Sequence, residues 1–335
     1  MNNRNVILSA DSTCDLGEEL KARYNVHYYP FHIILEGKQY QDNVDIQVDQ
    51  IYQAYYDRKA LPQTAAINVG EYVDYFRPFV EAGFDVIHFC LGGALSSAQK
   101  NCQLAAQEPE LAGHVFPIDS CSLSTGIALQ VLEAGERIRA GMPAGEIAKE
   151  MQAIVPHCHA SFILDTLEFM KAGGRCSSLV AFGANLLSLK PCIEVDNADG
   201  SMHVGKKYRG TLKKVLPQYV KDKLAQYPSI KRDHLFITYS TIDPSYVELV
   251  RQTVEETMKF KEIHTTNASC TIACHCGPNT LGILFETEWE PPKNTTPSGA
   301  VFFSVHGQIL PKTLKIKIPE KKRETPLTFP APCVQ

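Results

Sequence analysis

An α/β protein, with a parallel sheet in its first half and an α+β region built on a mixed sheet in its second, is what this 335-residue sequence predicts. Three observations carry that reading. Near-continuous apolar runs alternate with helical patterns through the first half, as expected of buried parallel strands joined by crossover helices. After about residue 158 the pattern changes: Cys192–Val195 and Met202–Tyr208 alternate around Asn197-Ala198-Asp199-Gly200, a hairpin signal and hence antiparallel pairing. The chain is also long enough for two separate cores. The expected division is residues 1–157, 158–286 and a C-terminal extension, 287–335.

In order, strands are expected over Asn5–Ala10, Val26–Ile34, Asp85–Leu91 and Val115–Ile118. The intervening helical patterns are Gly17–Tyr24, Val48–Arg58, Val69–Ala82, Ser96–Gln107 and Ser124–Ala140. Asn68-Val69-Gly70-Glu71 starts the third of these as a capping box with asparagine in the first place. Gly141-Met142-Pro143 breaks the pattern, and Ala144–Ile154 reads as the last helix of the first region. Leu164–Ala172 is helix-like and stops at Gly173-Gly174. Beyond the hairpin, helices Thr211–Tyr227 and Pro244–Phe260 alternate with strands Leu235–Tyr239 and Ile263–Asn267, and Leu281–Phe285 closes the set. The extension reads as a linker, in which only Ala300–Val305 and Leu314–Ile318 have strand character.

Composition excludes several classes of function. Hydrophobic content of 44% and charged content of 21% are those of a globular protein. A net charge of −4 offers no footprint for nucleic acid. The longest apolar runs are strand-sized, so no membrane span is expected, and the first ten residues lack a signal peptide's apolar region. The expected location is the cytoplasm. Eleven cysteines, an odd number, fit free thiols in a reducing compartment. The one dense cluster, Cys270 to Cys276 with His275, has no second pair of ligands to complete a zinc site. Read as extended chain, it would also point His275 away from Cys274 and Cys276. No metal is expected.

The candidate chemistry sits where loops follow strands, at the carboxyl ends where open α/β sheets bind ligands. Asp11, Ser12 and Thr13 follow the first strand, Ser96 the third, Asp119 and Ser120 the fourth. Ser96 is expected to open a helix, where its hydroxyl and free N–H groups either bind an anion or simply cap the helix. Gly173-Gly174 lets the backbone turn with positive φ, and Arg175 behind it projects a planar cation suited to a carboxylate or phosphate; a solvated arginine after a helix stop is the plain alternative. Leu91-Gly92-Gly93-Ala94 lacks the spacing of a dinucleotide-binding loop, and no phosphate-loop signature occurs.

As a set, Asp11-Ser12-Thr13-Cys14-Asp15-Leu16, Pro62-Gln63-Thr64, Leu95-Ser96-Ser97, Asp119-Ser120, Gly173-Gly174-Arg175, Arg209-Gly210 and His275-Cys276-Gly277-Pro278 resemble the DegV family of bacterial fatty-acid-binding proteins. The resemblance covers residues 5 to about 286 and implies a two-domain fold with an acyl chain in an apolar tunnel between the domains. It implies that Thr64, Ser96, Arg175, Arg209 and His275 meet the head group. It also implies a non-catalytic carrier, without a cofactor, that presents a fatty acid or acyl phosphate to a separate fatty-acid kinase. Three departures stand out. Ala65 replaces a family serine, Gly92-Gly93 replace paired serines, and Ser97-Ala98 replace Gly-Thr, with Ser97 able to restore one hydroxyl. The alternative from a different class is an acyl hydrolase or transferase with Ser96 or Cys276 as nucleophile and His275 as base, although no nucleophile elbow surrounds Ser96.

Overall fold

The structure is a computed structural model and describes residues 4–181 and 189–289. The first region contains β1 (Val6–Asp11), α1 (Glu18–Arg23), β2 (His27–Tyr29), β3 (His32–Leu35), β4 (Lys38–Gln41), α2 (Val48–Arg58), β5 (Gln63–Ala65), α3 (Val69–Glu81), β6 (Asp85–Cys90), α4 (Ala98–Ala105), β7 (Val115–Asp119), α5 (Thr125–Arg139) and α6 (Ala144–Ile154). The second contains β8 (Cys158–Ile163), α7 (Glu168–Gly173), β9 (Leu189–Val195), β10 (Met202–Arg209), α8 (Leu212–Gln226), β11 (Ile230–Ser240), α9 (Pro244–Thr257), β12 (Glu262–Asn267), α10 (Cys270–Cys276) and β13 (Thr280–Thr287).

Strands β2-β1-β6-β7 form a parallel sheet, and β10-β9-β8-β13-β11-β12 form a mixed one in which only β11 and β12 run parallel. Both agree with the predicted fold class. A third, antiparallel sheet, β4-β3-β5, departs from it. The run Val26–Ile34 is two strands in two sheets, not one parallel strand. Pro30 lacks the N–H a central strand must donate, so the ladder stops there. Phe31 turns its N–H to the Ser12 hydroxyl at 3.1 Å, and His32 then pairs with Gln41 and Ala65.

Three other expectations need correction. Leu164–Ala172 is helical only from Glu168, while the preceding Cys158–Ile163 is a central strand that its mixed polar and apolar pattern concealed. Ser96 does not open α4; Ser97 is the N-cap residue, and the Ser96 hydroxyl accepts the Ala98 N–H at 3.2 Å. Cys270–Cys276 is a helix, not extended chain. Its first turn is fixed by two buried carboxylates: Asp15 accepts the Ser269 N–H at 2.9 Å and Asp42 accepts the Cys270 N–H at 2.8 Å. The free N–H groups of a helix start need acceptors, and these two carboxyl groups supply them. The expected strands Ala300–Val305 and Leu314–Ile318 lie outside the described residues.

Helix α5 is the spine between the sheets. Ile127, Ala128, Val131 and Ala134 are fully buried, and Thr125 bonds Thr238 of β11 at 2.6 Å. At its far end Glu133 pairs with Lys231, which also reaches Glu286 at 3.3 Å. The described residues belong to one compact unit. A separate apolar cluster ties α2 and β3 to α7 and α10: Ile33, Ile51, Tyr52, Phe169 and Ala273 all meet there. The Phe169 ring lies 4.8 Å from that of Tyr55 and 5.6 Å from that of Tyr52. Removing such a ring typically costs about 3–5 kcal/mol, so this cluster fixes the two helices that carry the site.

Candidate functional site

One cavity of about 340 Å³ gathers residues from both regions, a size within the range of roughly 300–1,000 Å³ common for ligand sites. Thr64 enters from β5, Ser96 and Ser97 from the loop after β6, Arg175 from just beyond α7 and His275 from α10. These five predicted head-group residues line the same space. Arg209 does not. It is exposed at the end of β10, where it pairs with Leu189, and alternation sends the adjacent Tyr208 inward instead.

The polar residues are held in specific ways. His275 Nε2 lies 2.9 Å from the Thr64 hydroxyl, while its buried Nδ1 has no hydrogen-bond partner. That nitrogen packs against Gly173, where any Cβ would collide with the imidazole. Burial, reinforced by the charge of Arg175, lowers the His275 pKa to about 4, so the ring is neutral near pH 7. Gly174 adopts φ 69°, the left-handed turn that ends α7 and swings Arg175 towards the cavity. The Arg175 guanidinium donates to the Gly173 carbonyl at 2.5 Å and to the Leu95 carbonyl at 3.4 Å. The first glycine therefore makes room for a histidine, and the second turns the chain.

Elsewhere the lining is largely apolar, including Phe31, Leu95, Leu123, Met170 and Ile272. Among the described lining residues there is no carboxylate, and Arg175 carries the one permanent charge. These apolar residues leave little trace in the sequence, because they come singly from separate elements and share no periodicity. At Gly92 a Cβ would meet the Ser122 backbone N at 2.9 Å, and at Gly93 it would meet the Asp119 carboxylate at 2.7 Å. Asp119 also accepts the Gly93 N–H at 3.0 Å. The loop is packed for glycine at both positions, so the missing serines belong to a tighter local structure.

The acids and hydroxyls at the ends of β1 and β7 have another role. Asp11 accepts from Tyr72 Oη at 2.7 Å and from the Leu91 N–H at 2.8 Å, and lies 3.0 Å from His88 Nε2. Ser12 donates to Asp42 at 2.7 Å, and Ser124 donates to Asp15 at 2.5 Å. Burial raises both carboxyl pKa values, that of Asp15 to about 8. None of Asp11, Ser12, Thr13, Asp119 or Ser120 lines the cavity. Asp11, Ser12 and Asp119 instead accept from the amides of Leu91, Phe31 and Gly93, which do.

Comparison with known proteins agrees with this architecture. Residues 6–288 match the family described as "Uncharacterised protein, DegV family". A DegV domain-containing protein of Deinococcus radiodurans is 27% identical over 283 residues, spanning 84% of this chain and 98% of the relative. A Clostridium perfringens DegV domain-containing protein is 26% identical, covering 83% and 97%. Among solved structures, a DegV family protein from Thermus thermophilus, described for its fatty-acid binding, superposes with a TM-score of 0.77. It shares 28% identity over 85% of this chain and 100% of that one. A Thermotoga maritima DegV lipid-binding protein has the same fold, with a TM-score of 0.74, 21% identity, and coverage of 86% and 100%. With its parallel and mixed sheets and the match spanning nearly all described residues, the chain belongs to the DegV family.

Proposed function

We propose that this protein binds one long-chain fatty acid, with the acyl chain in the apolar part of the cavity and the carboxylate at Arg175, Thr64, Ser96, Ser97 and His275. The observation that carries the reading is the cavity itself: apolar side chains line one part of it, hydroxyls and one cation line the other, and no described lining residue is an acid. Guanidinium and hydroxyl donors suit a carboxylate, and the neutral imidazole of His275 orients the Thr64 hydroxyl without adding a second charge. Each buried methylene is worth about 0.8 kcal/mol, so a sixteen-carbon chain would survive purification. Denaturing extraction of the purified protein, followed by mass spectrometry, should yield about one equivalent of fatty acid. A lipid-free extract, together with no uptake of a fluorescent acyl probe, would overturn the proposal.

The finer part of the proposal is that the protein works as a cytoplasmic carrier, presenting the carboxylate, and later the acyl phosphate, to a separate kinase. The head-group end of the cavity contains the exposed Ser97 and Arg175, which supports access by a partner from outside. The nucleophile alternative finds little support. Burial pushes the Cys276 thiol up to about 12, the Ser96 hydroxyl is engaged with the Ala98 N–H, and His275 Nε2 faces Thr64. Burst kinetics with activated acyl esters separate the two, because a carrier should release no stoichiometric burst.

A further inference from the structure

A second group of side chains, on the β11–β12 edge of the mixed sheet, plays no part in the acyl site. His234 pairs in register with Glu262, and Phe236 with His264, so both histidines and the glutamate lie on one face of two parallel strands. His234 Nδ1 and His264 Nε2 are 3.0 Å apart, and Glu262 Oε2 is 3.9 Å from the same His264 nitrogen. One ligand atom from each of the three residues falls within a 4.8 Å cluster. We propose that His234, His264 and Glu262 form a binding site for a zinc-class divalent cation, with the fourth position open to water.

The distances suit that role. Tetrahedral zinc with bonds of about 2.0–2.1 Å to imidazole needs the two nitrogens roughly 3.3 Å apart, so opening the pair by a few tenths of an ångström admits the ion. Two neutral imidazoles facing nitrogen to nitrogen share one proton. A cation replaces it when that proton moves to the outer nitrogen of the same ring, so both rings remain neutral ligands. The His264 ring is braced by Phe236 at 4.7 Å, while Glu262 is 40% exposed and gives the ion a route in from solvent.

Arg23 of α1 opposes binding. It donates to both Glu262 oxygens, at 3.1 and 3.4 Å, and to Glu19 at 2.8 Å. An ion at Glu262 requires Arg23 to remain with Glu19 alone. The buried group of His88, Cys90 and Cys102 is a weaker candidate, since His88 already holds Ser9 at 2.9 Å and Asp11 at 3.0 Å. Its thiols can still scavenge zinc, so the test depends on the histidine variants.

The full chain, under reducing conditions at neutral pH, is titrated with Zn²⁺ and separately with Co²⁺, followed by calorimetry, visible absorption and thermal unfolding. Expected are one zinc per chain, a tetrahedral Co²⁺ spectrum and a zinc-dependent rise in Tm. His234→Gln and His264→Gln should each weaken affinity roughly a hundredfold or more, and Arg23→Gln should tighten it. Circular dichroism checks that each variant is folded. Equal zinc affinity in wild type and folded His264→Gln overturns the proposal, as does wild-type binding only in the millimolar range.

Discussion

Two groups of polar side chains lie near the carboxyl ends of the parallel strands, and they differ in how completely they are satisfied. Asp11, Ser12, Asp15 and Asp42 are buried and spend their hydrogen bonds on the protein: on Tyr72, on the Leu91, Ser269 and Cys270 amides, and on each other's neighbours. Thr64, Ser96, Ser97, Arg175 and His275 surround open space, and the bonds they make are to one another or to neighbouring main chain. A satisfied buried network fixes structure, whereas polar groups around an open, partly apolar cavity retain capacity for a ligand. In sequence, the acids and hydroxyls of the two groups look alike.

The largest effect expected from that contrast is in Asp11→Ala. Removing the carboxylate leaves the Tyr72 hydroxyl, the Leu91 amide and His88 without their acceptor inside the protein. Buried groups stranded in this way should cost about 3–5 kcal/mol in total. Urea denaturation should show the loss as a lower midpoint. A cost under about 1 kcal/mol would remove the distinction between the two groups.

Asp15 sharpens the same point through pH. Burial raises its carboxyl pKa to about 8 in the folded protein, against an ordinary value of 3.8. Between those values the folded state holds a proton that the unfolded chain has released. Stability from this residue is therefore full below about pH 4, falls as pH rises towards 8, and is level above it. Across that window one proton of difference changes stability by at most about 1.4 kcal/mol per pH unit, so the decline should amount to a few kcal/mol. Asp15→Asn, neutral throughout, should flatten that part of the stability–pH curve. An unchanged slope in the variant would assign it to other groups.

Gly173→Ala tests the border between the two groups, because its Cβ would strike the His275 ring. Forcing a methyl into a packed site costs about 1–3 kcal/mol. The substitution should also move His275 away from Thr64 and loosen ligand retention, as read by acyl content after purification. Full retention would mean that the histidine does not touch the head group.

Much of this arrangement could be read before the structure, and the failures have physical causes. Val48–Arg58 and Ala144–Ile154 match the predicted helices to the residue, and Asn68 and Glu71 form the expected reciprocal cap at 2.9 and 3.0 Å. Amphipathic periodicity and caps are local signals. The division of Val26–Ile34 between two sheets depended on Pro30 and on partners far along the chain. The helix at Cys270 depended on Asp15 and Asp42, more than 220 positions away. At the site, Ser96 and Arg175 were candidates from their places after a strand and after Gly-Gly, each with an ordinary structural explanation beside it, whereas Thr64 and His275 came from the family resemblance. Arg209 shows the limit of that route: its motif is present, yet strand alternation leaves the side chain outside the cavity.

The smallest effect on stability, and the most selective effect on binding, is expected from Arg175→Ala and Ser96→Ala. Arg175 is exposed and, among the described residues, bonds the Gly173 and Leu95 carbonyls, and Ser96 gives up one N–H contact to Ala98. Surface changes of this kind usually stay within about 0.5 kcal/mol, so both variants should unfold near the wild-type midpoint. A charge-assisted hydrogen bond to a carboxylate is worth about 1.5–3 kcal/mol, or roughly ten- to a hundredfold in affinity. Arg175→Ala should therefore weaken binding of a short fatty acid by that factor. A long one should be retained, because the apolar contribution of its tail grows with each methylene and is untouched by the substitution. Competition assays with a chain-length series read both effects at once. If Arg175→Ala binds short and long acids as wild type does, the carboxylate lies elsewhere. If it loses both equally, the arginine shapes the cavity rather than holding the head group, and the contrast between structural and ligand-facing polar groups fails at its most exposed member.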